Sequence, residues 1–197
     1  MNEKEFRATT LSFYIILITR GLHYISSIVL IALLLPEDFG VMAVVMSIFA
    51  FMNAISTFGI DSALISYQGN ERDLADDAWT IEIFKGLFLA SCLFLLSPVI
   101  STWLNQPVLY NLLGVMSLVF LIQSIKNIGL ISLRKRLEFG PIFRCELGMA
   151  LVSFVVTIFW ALYEPSPWAI AGGYISGWIA YVILSYILCS YRPKLSF

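Results

Sequence analysis

An all-α membrane protein of six transmembrane helices is the fold class this sequence predicts, and three observations predict it. The chain is 59% hydrophobic and only 13% charged, about half the charged fraction of an ordinary soluble domain, roughly 25%. Its apolar residues fall into six long segments, near the length of about 20 residues that crosses a hydrocarbon core. All Lys and Arg outside those segments lie on one side of the resulting topology: Lys4, Arg7, Arg72, Arg134, Lys135, Arg136, Arg144, Arg192 and Lys194. The breaks at Pro36-Glu37-Asp38, Asn105-Gln106-Pro107 and Glu164-Pro165 contain none. The positive-inside rule then puts both termini and the even-numbered loops in the cytoplasm.

The expected helices cover about residues 10–35, 40–67, 78–104, 108–132, 142–163 and 167–190, making residues 1–197 a single six-helix lobe. The first follows Glu3 and Glu5, is too long for a signal-peptide core and has no small-residue cleavage site before Pro36. The second holds the uncharged run from Phe39 to Ile60. Asp76-Asp77 suit the positive dipole end of the third, and Pro98 is expected to kink its outer part, with neighbouring helices taking the freed carbonyl. The fourth ends ahead of the basic cluster Arg134-Lys135-Arg136, which reads as a topology signal touching anionic lipid. The fifth and sixth are separated by Glu164-Pro165, and the stretch from Pro165 to Tyr191 is uncharged. Trp79, Trp103, Trp160, Trp168, Tyr67, Tyr163 and Tyr191 sit near segment ends, as an interfacial aromatic belt does. Helices are the reading because every backbone group must pair inside the bilayer.

Bulk features exclude other classes. A formal net charge of -1 and the lack of a basic tail give no reason to expect nucleic acid. Cys92, Cys145 and Cys189 are odd in number, lie in or beside apolar segments and lack metal-ligand spacing, so they read as packing residues. No metal and no cofactor is expected.

Charges inside apolar segments are the candidate functional residues, because each costs about 2.5 to 3.5 kcal/mol at mid-helix unless paired or hydrated. They are Arg20, His23, Asp61, Glu82, Lys85, Lys126 and Glu146, and the topology places the six charges among them, all but His23, in the cytoplasmic half. Arg20, His23 and Ser27 share one face of segment one. Asn53, Thr57 and Asp61 share one face of segment two, and Gln123, Lys126 and Asn127 make a third polar patch on segment four. Three such stripes suggest a hydrated cavity open to the inside, in which Arg20, Lys85 and Lys126 meet an anionic group and His23, Asn53, Thr57 and Asp61 add polar or proton-binding groups. Plainer readings stand beside this one. Glu82 and Lys85 are one turn apart and suited to pairing; Glu146 is shallow enough to be interfacial; Asp61 suits local capping; His23 suits packing.

Several stretches together resemble a known family. They are Leu35-Pro36-Glu37-Asp38-Phe39-Gly40, Phe58-Gly59-Ile60 with Ala63-Leu64-Ile65, Leu96-Ser97-Pro98 with Leu104-Asn105-Gln106-Pro107, Leu137-Glu138-Phe139 and the ending Tyr191-Arg192-Pro193-Lys194-Leu195-Ser196-Phe197. In this order and spacing the chain resembles the amino-terminal half of the Wzx-type oligosaccharide flippases, polysaccharide transporters of the multidrug/oligosaccharidyl-lipid/polysaccharide exporter superfamily, and within them the branch that holds the colanic acid exporter. The acid that this family often places just before the segment-two glycine is missing here: Thr57-Phe58 precede Gly59 and Asp61 follows it.

The resemblance implies alternating-access translocation of an undecaprenyl-diphosphate-linked repeat unit across a bacterial inner membrane, for lipopolysaccharide or exopolysaccharide biosynthesis. It implies no enzyme activity. It also implies two lobes around a central cavity, so this lobe needs a second lobe or a second copy of itself, in contact with membrane lipids. The alternatives are half of a drug/ion antiporter, which needs acids deep in the cavity and for which Asp61 is the only near candidate, and an inactive fragment or structural membrane subunit. A polyprenyl-dependent glycosyltransferase, with Glu37-Asp38 as loop acids, is disfavoured because that loop is too short to hold a donor sugar.

Overall fold

The computed structural model describes residues 3–56, 71–135 and 138–193. These form seven α-helices: α1 (Glu3–Leu33), α2 (Pro36–Ser56), α3 (Glu71–Trp103), α4 (Pro107–Ser124), α5 (Gly129–Lys135), α6 (Phe139–Tyr163) and α7 (Pro167–Leu188). No strand occurs among the described residues. Five helices (α2, α3 from Asp76, α4, α6 and α7) are long and apolar enough to cross a membrane, and α1 contributes a shorter apolar helical stretch, Leu17–Leu33. The protein is an all-α polytopic membrane protein.

Local chemistry explains where the helices start and stop. The three turns without Lys or Arg each end in a proline that opens the next helix: Pro36 in α2, Pro107 in α4 and Pro167 in α7. Proline suits a first helical position, where its fixed φ is already helical and its missing N–H is not needed. Glu37 and Asp38 fill the first turn of α2 and face the positive end of its dipole. Between α3 and α4, Asn105 adopts φ 52°. Its N–H donates to the Thr102 carbonyl (3.2 Å), and the Gln106 N–H donates to the Ser101 carbonyl (3.0 Å). This paired arrangement closes a helix with one left-handed residue, which asparagine tolerates.

Two helices depart from the sequence pattern. α3 runs unbroken from Glu71 through Pro98 to Trp103. The Phe94 carbonyl that Pro98 leaves without a donor takes the Ser97 hydroxyl at 2.7 Å, so the repair comes from α3 itself rather than from a neighbour. The expected fourth helix, 108–132, is divided: α4 stops at Ser124 and the short α5 begins at Gly129. Asn127 makes the break, because its side-chain oxygen accepts the Gly129 N–H at 2.9 Å, a local bond that competes with helix continuation.

α6 packs most extensively on α7, and α3 on α4; α1 lies along α6, α4 reaches α7, and α2 rests on both α7 and α4. The main core joins Met42, Val45 and Phe49 of α2 to Leu93 of α3, Leu112, Leu113 and Met116 of α4, and Ala171 of α7. Phe49 stacks on Phe120 with centroids 4.4 Å apart and meets Tyr174 edge-on at 5.6 Å. Two helix pairs approach so closely that only glycine fits. A Cβ on Gly173 would lie 1.7 Å from Thr157 Oγ1 and 2.9 Å from the Ser153 carbonyl. One on Gly86 would lie 2.3 Å from Ser124 Cβ and 2.8 Å from the Phe120 carbonyl. Small residues of this kind let helices associate in lipid, where burial from water no longer drives contact. Gly173→Val and Gly86→Val should each cost about 1–3 kcal/mol through overpacking. Lower thermal midpoints in detergent, beside an unchanged Gly140→Ala control whose added Cβ meets open space, are the expected result.

Candidate functional site

The interior charges divide between the two flanks of the lobe. Arg20 is exposed on α1, about 20 Å along the helix from Leu33 at 1.5 Å per residue. His23 and Ser27 are exposed beside it, and the Ser27 hydroxyl is returned to the His23 carbonyl at 3.0 Å. This stripe therefore faces away from the α1–α6 contact, with His23 at its edge next to Ser153 and Phe154 of α6. Among the described residues Arg20 makes no ion pair. On the other flank, Lys85 pairs with Glu82 within α3, and Glu82 is buried.

Helices α1 and α3 are the two ends of the packing order α1–α6–α7–α4–α3, so Arg20 and Lys85 occupy opposite flanks. Lys126 is half-buried in the turn after α4 rather than within a helix. Asn53 is half-buried on α2, while Thr57 and Asp61 lie outside the described residues.

Asn127, grouped by sequence with Lys126, has a structural role. It is fully buried. Its backbone N–H donates to Ser185 Oγ (3.1 Å), its amide donates to the Tyr191 carbonyl (2.8 Å), and its side-chain oxygen takes the Gly129 N–H. The Tyr191 hydroxyl donates to Asp76, and Arg192 donates to the Cys189 carbonyl at 2.6 Å. One network thus ties the start of α3, the α4–α5 turn and the end of α7. Burial pushes the Cys189 thiol above its ordinary value, against the opposing influence of Tyr191 and Arg192, which fits an unreactive packing cysteine. Replacing Asn127 with Ala strands the buried Gly129 N–H and leaves the Tyr191 carbonyl to the Arg192 guanidinium, a loss of about 1–3 kcal/mol. Reduced membrane accumulation and a lower thermal midpoint should follow, and Asn127→Asp should fare no better, because it loses the donor to Tyr191 and buries a charge.

A feature that sequence reasoning missed lies at the other end. The three turns without Lys or Arg converge on a cavity of about 700 Å³. Glu37, Asp38 and Gly40 come from the first, Gln106 from the second, and Ser166 and Trp168 from the third. Asp38 accepts the Leu35 N–H at 3.3 Å, and the Ser166 hydroxyl is 3.4 Å from the Glu164 carbonyl. The sequence signal was available, since each of these turns carries a polar residue next to a helix-opening proline. Only the packing shows that they meet. Among the described residues no group of three or more His, Cys, Asp or Glu is placed to hold a metal.

Helices long and apolar enough to span a membrane, with a polar mouth at one end, define a polytopic membrane protein. The chain belongs to the family described as Polysaccharide biosynthesis protein, whose model matches residues 29–197. It is 26% identical to the Lipopolysaccharide biosynthesis protein WzxC of Escherichia coli (strain K12), over 100% of this chain and 40% of that protein. It is 24% identical to the Succinoglycan biosynthesis transport protein ExoT of Rhizobium meliloti (strain 1021), over 91% of this chain and 36% of that one. An Uncharacterized membrane protein in cps region of Klebsiella pneumoniae is 27% identical over 70% of this chain and 28% of its own length. The chain spans less than half the length of each of these relatives. No solved structure matches it. A bacterial inner membrane fits these relatives and the apolar helices.

Proposed function

We propose that this chain is one lobe of a transporter that moves a lipid-diphosphate-linked oligosaccharide from the inner to the outer leaflet by alternating access. The observation that carries the proposal is Arg20, a permanently charged group exposed on α1 within the apolar stretch Leu17–Leu33, without an ion pair among the described residues. An exposed guanidinium at that depth is costly against acyl chains and favourable against water or an anion. A diphosphate crossing the same region meets the reciprocal penalty. Bringing the two together in a hydrated groove lowers both costs, and the planar guanidinium offers two-point contact to phosphate oxygens.

In this reading the exposed faces of α1 and Lys126 at the end of α4 look toward a groove that a second lobe closes, with both termini and the basic cluster in the cytoplasm. Lys85 is already neutralised by Glu82 and contributes less. The apolar polyprenyl tail stays in lipid between helices. The names of WzxC and ExoT, which tie those proteins to lipopolysaccharide biosynthesis and succinoglycan transport, support the substrate class. They also favour transport over catalysis.

In the assembled transporter, Arg20→Ala and Lys126→Ala should abolish surface-polymer export while membrane levels of the protein stay normal. Export at the unaltered level from both variants would remove the site assignment. Arg20→Lys separates the two contributions: near-normal export means charge dominates, and a severe defect means two-point contact does. A topology reporter inserted at Gln106 should read periplasmic and one fused after Phe197 cytoplasmic.

A further inference from the structure

We infer that the cavity among the three Lys- and Arg-free turns is a saccharide-binding site selective for neutral and amino sugars over acidic ones. The identity of its ligand rests on the translocation reading above; its chemistry stands on the lining itself. At about 700 Å³ the cavity falls within the range of roughly 300–1,000 Å³ that holds small organic ligands.

Its polar groups are two carboxylates, an amide and a hydroxyl, from Glu37, Asp38, Gln106 and Ser166, and its wall includes the indole of Trp168. Sugar hydroxyls donate well to carboxylates, because hydrogen bonds to a charged acceptor are short and strong. A sugar ring's C–H face suits the electron-rich face of an indole. Trp168 also packs against the main core, which fixes its place in the wall.

Two alternatives fit less well. A diphosphate or a uronic acid would meet Glu37 and Asp38 with no Lys or Arg among the described lining residues, a repulsion in a low-dielectric surround. A hard cation needs six or more oxygens and gains nothing from the indole wall, which supplies none. The lobe thus separates its chemistry by end: cations at the depth of Arg20 and Lys126 for the charged head, acceptors at the opposite mouth for the sugar.

Gly40 provides the means of testing this without disturbing the fold. It lines the cavity, and a Cβ placed on it meets nothing within 4 Å, so a larger side chain there fills the mouth from its rim. Intrinsic tryptophan emission of the full chain in nanodiscs is titrated with maltotetraose, chitosan tetramer, tetragalacturonate and calcium chloride. The expected result is a saturable change with the first two and none with the others. Gly40→Phe and the rim variant Glu37→Gln should each weaken the response by about tenfold or more, with near-ultraviolet circular dichroism unchanged.

Absence of any saturable saccharide response overturns the inference. So does equal binding of tetragalacturonate, undiminished binding by both variants, or a response to calcium alone. Failure here alongside a lost export phenotype in Arg20→Ala sinks only this site. Sugar binding alongside normal export from Arg20→Ala and Lys126→Ala sinks the cation assignment and leaves this site standing.

Discussion

Close approach of α7 to α6 at Gly173, and of α3 to α4 at Gly86, is the constraint on which the rest of the lobe depends. In lipid, apolar side chains gain nothing by leaving one hydrocarbon surface for another, so helices adhere where backbones come near enough for dense van der Waals contact. Gly173 permits that against Ser153 and Thr157, and Gly86 against Phe120 and Ser124. With both pairs closed, α4 is enclosed on several sides. Leu112, Leu113, Met116 and Val119 lose all exposure, and α2 is left to settle across α4 and α7 through Phe49 and Met52.

The two ends of this frame are held differently. At the basic end, the buried Asn127 and the Tyr191–Asp76 bond cross-link elements far apart in sequence. Unsatisfied polar groups are expensive here, so the network restricts how α3, α4 and α7 can move relative to one another. At the opposite end the turns are closed mostly by local bonds, such as those around Asn105, and no side-chain network crosses between them among the described residues. That leaves room for a polar cavity at a mouth framed by the starts of α2, α4 and α7, each opened by a proline.

Much of the architecture was legible in the residues. The positions of α2, α3, α4, α6 and α7 follow from apolar length, and the starts of α2, α4 and α7 from proline placement. Two misreadings are instructive. A single asparagine inside an apolar run looked compatible with a continuous helix from 108 to 132, because periodicity does not register what a side chain bonds to; Asn127 turned the chain by engaging Gly129. The carbonyl freed by Pro98 was expected to find its donor on a neighbouring helix, yet the Ser97 hydroxyl of the same helix supplies it. The candidate cations were legible as anomalies of charge, but Lys126 proved to lie in a turn and Lys85 to be paired.

From its order of residues alone, this protein is committed to several apolar helices, to a basic and a non-basic set of connections, and to charges that lipid penalises. Those are properties of segments, set by transfer free energy and by backbone hydrogen bonding within each helix. Which helices touch, which glycines are indispensable, and that Glu37, Gln106, Ser166 and Trp168 share one cavity were decided only in three dimensions. The reason is that these depend on distances between segments widely separated along the chain, and in a bilayer such distances answer to the fit of surfaces, which hydropathy does not encode.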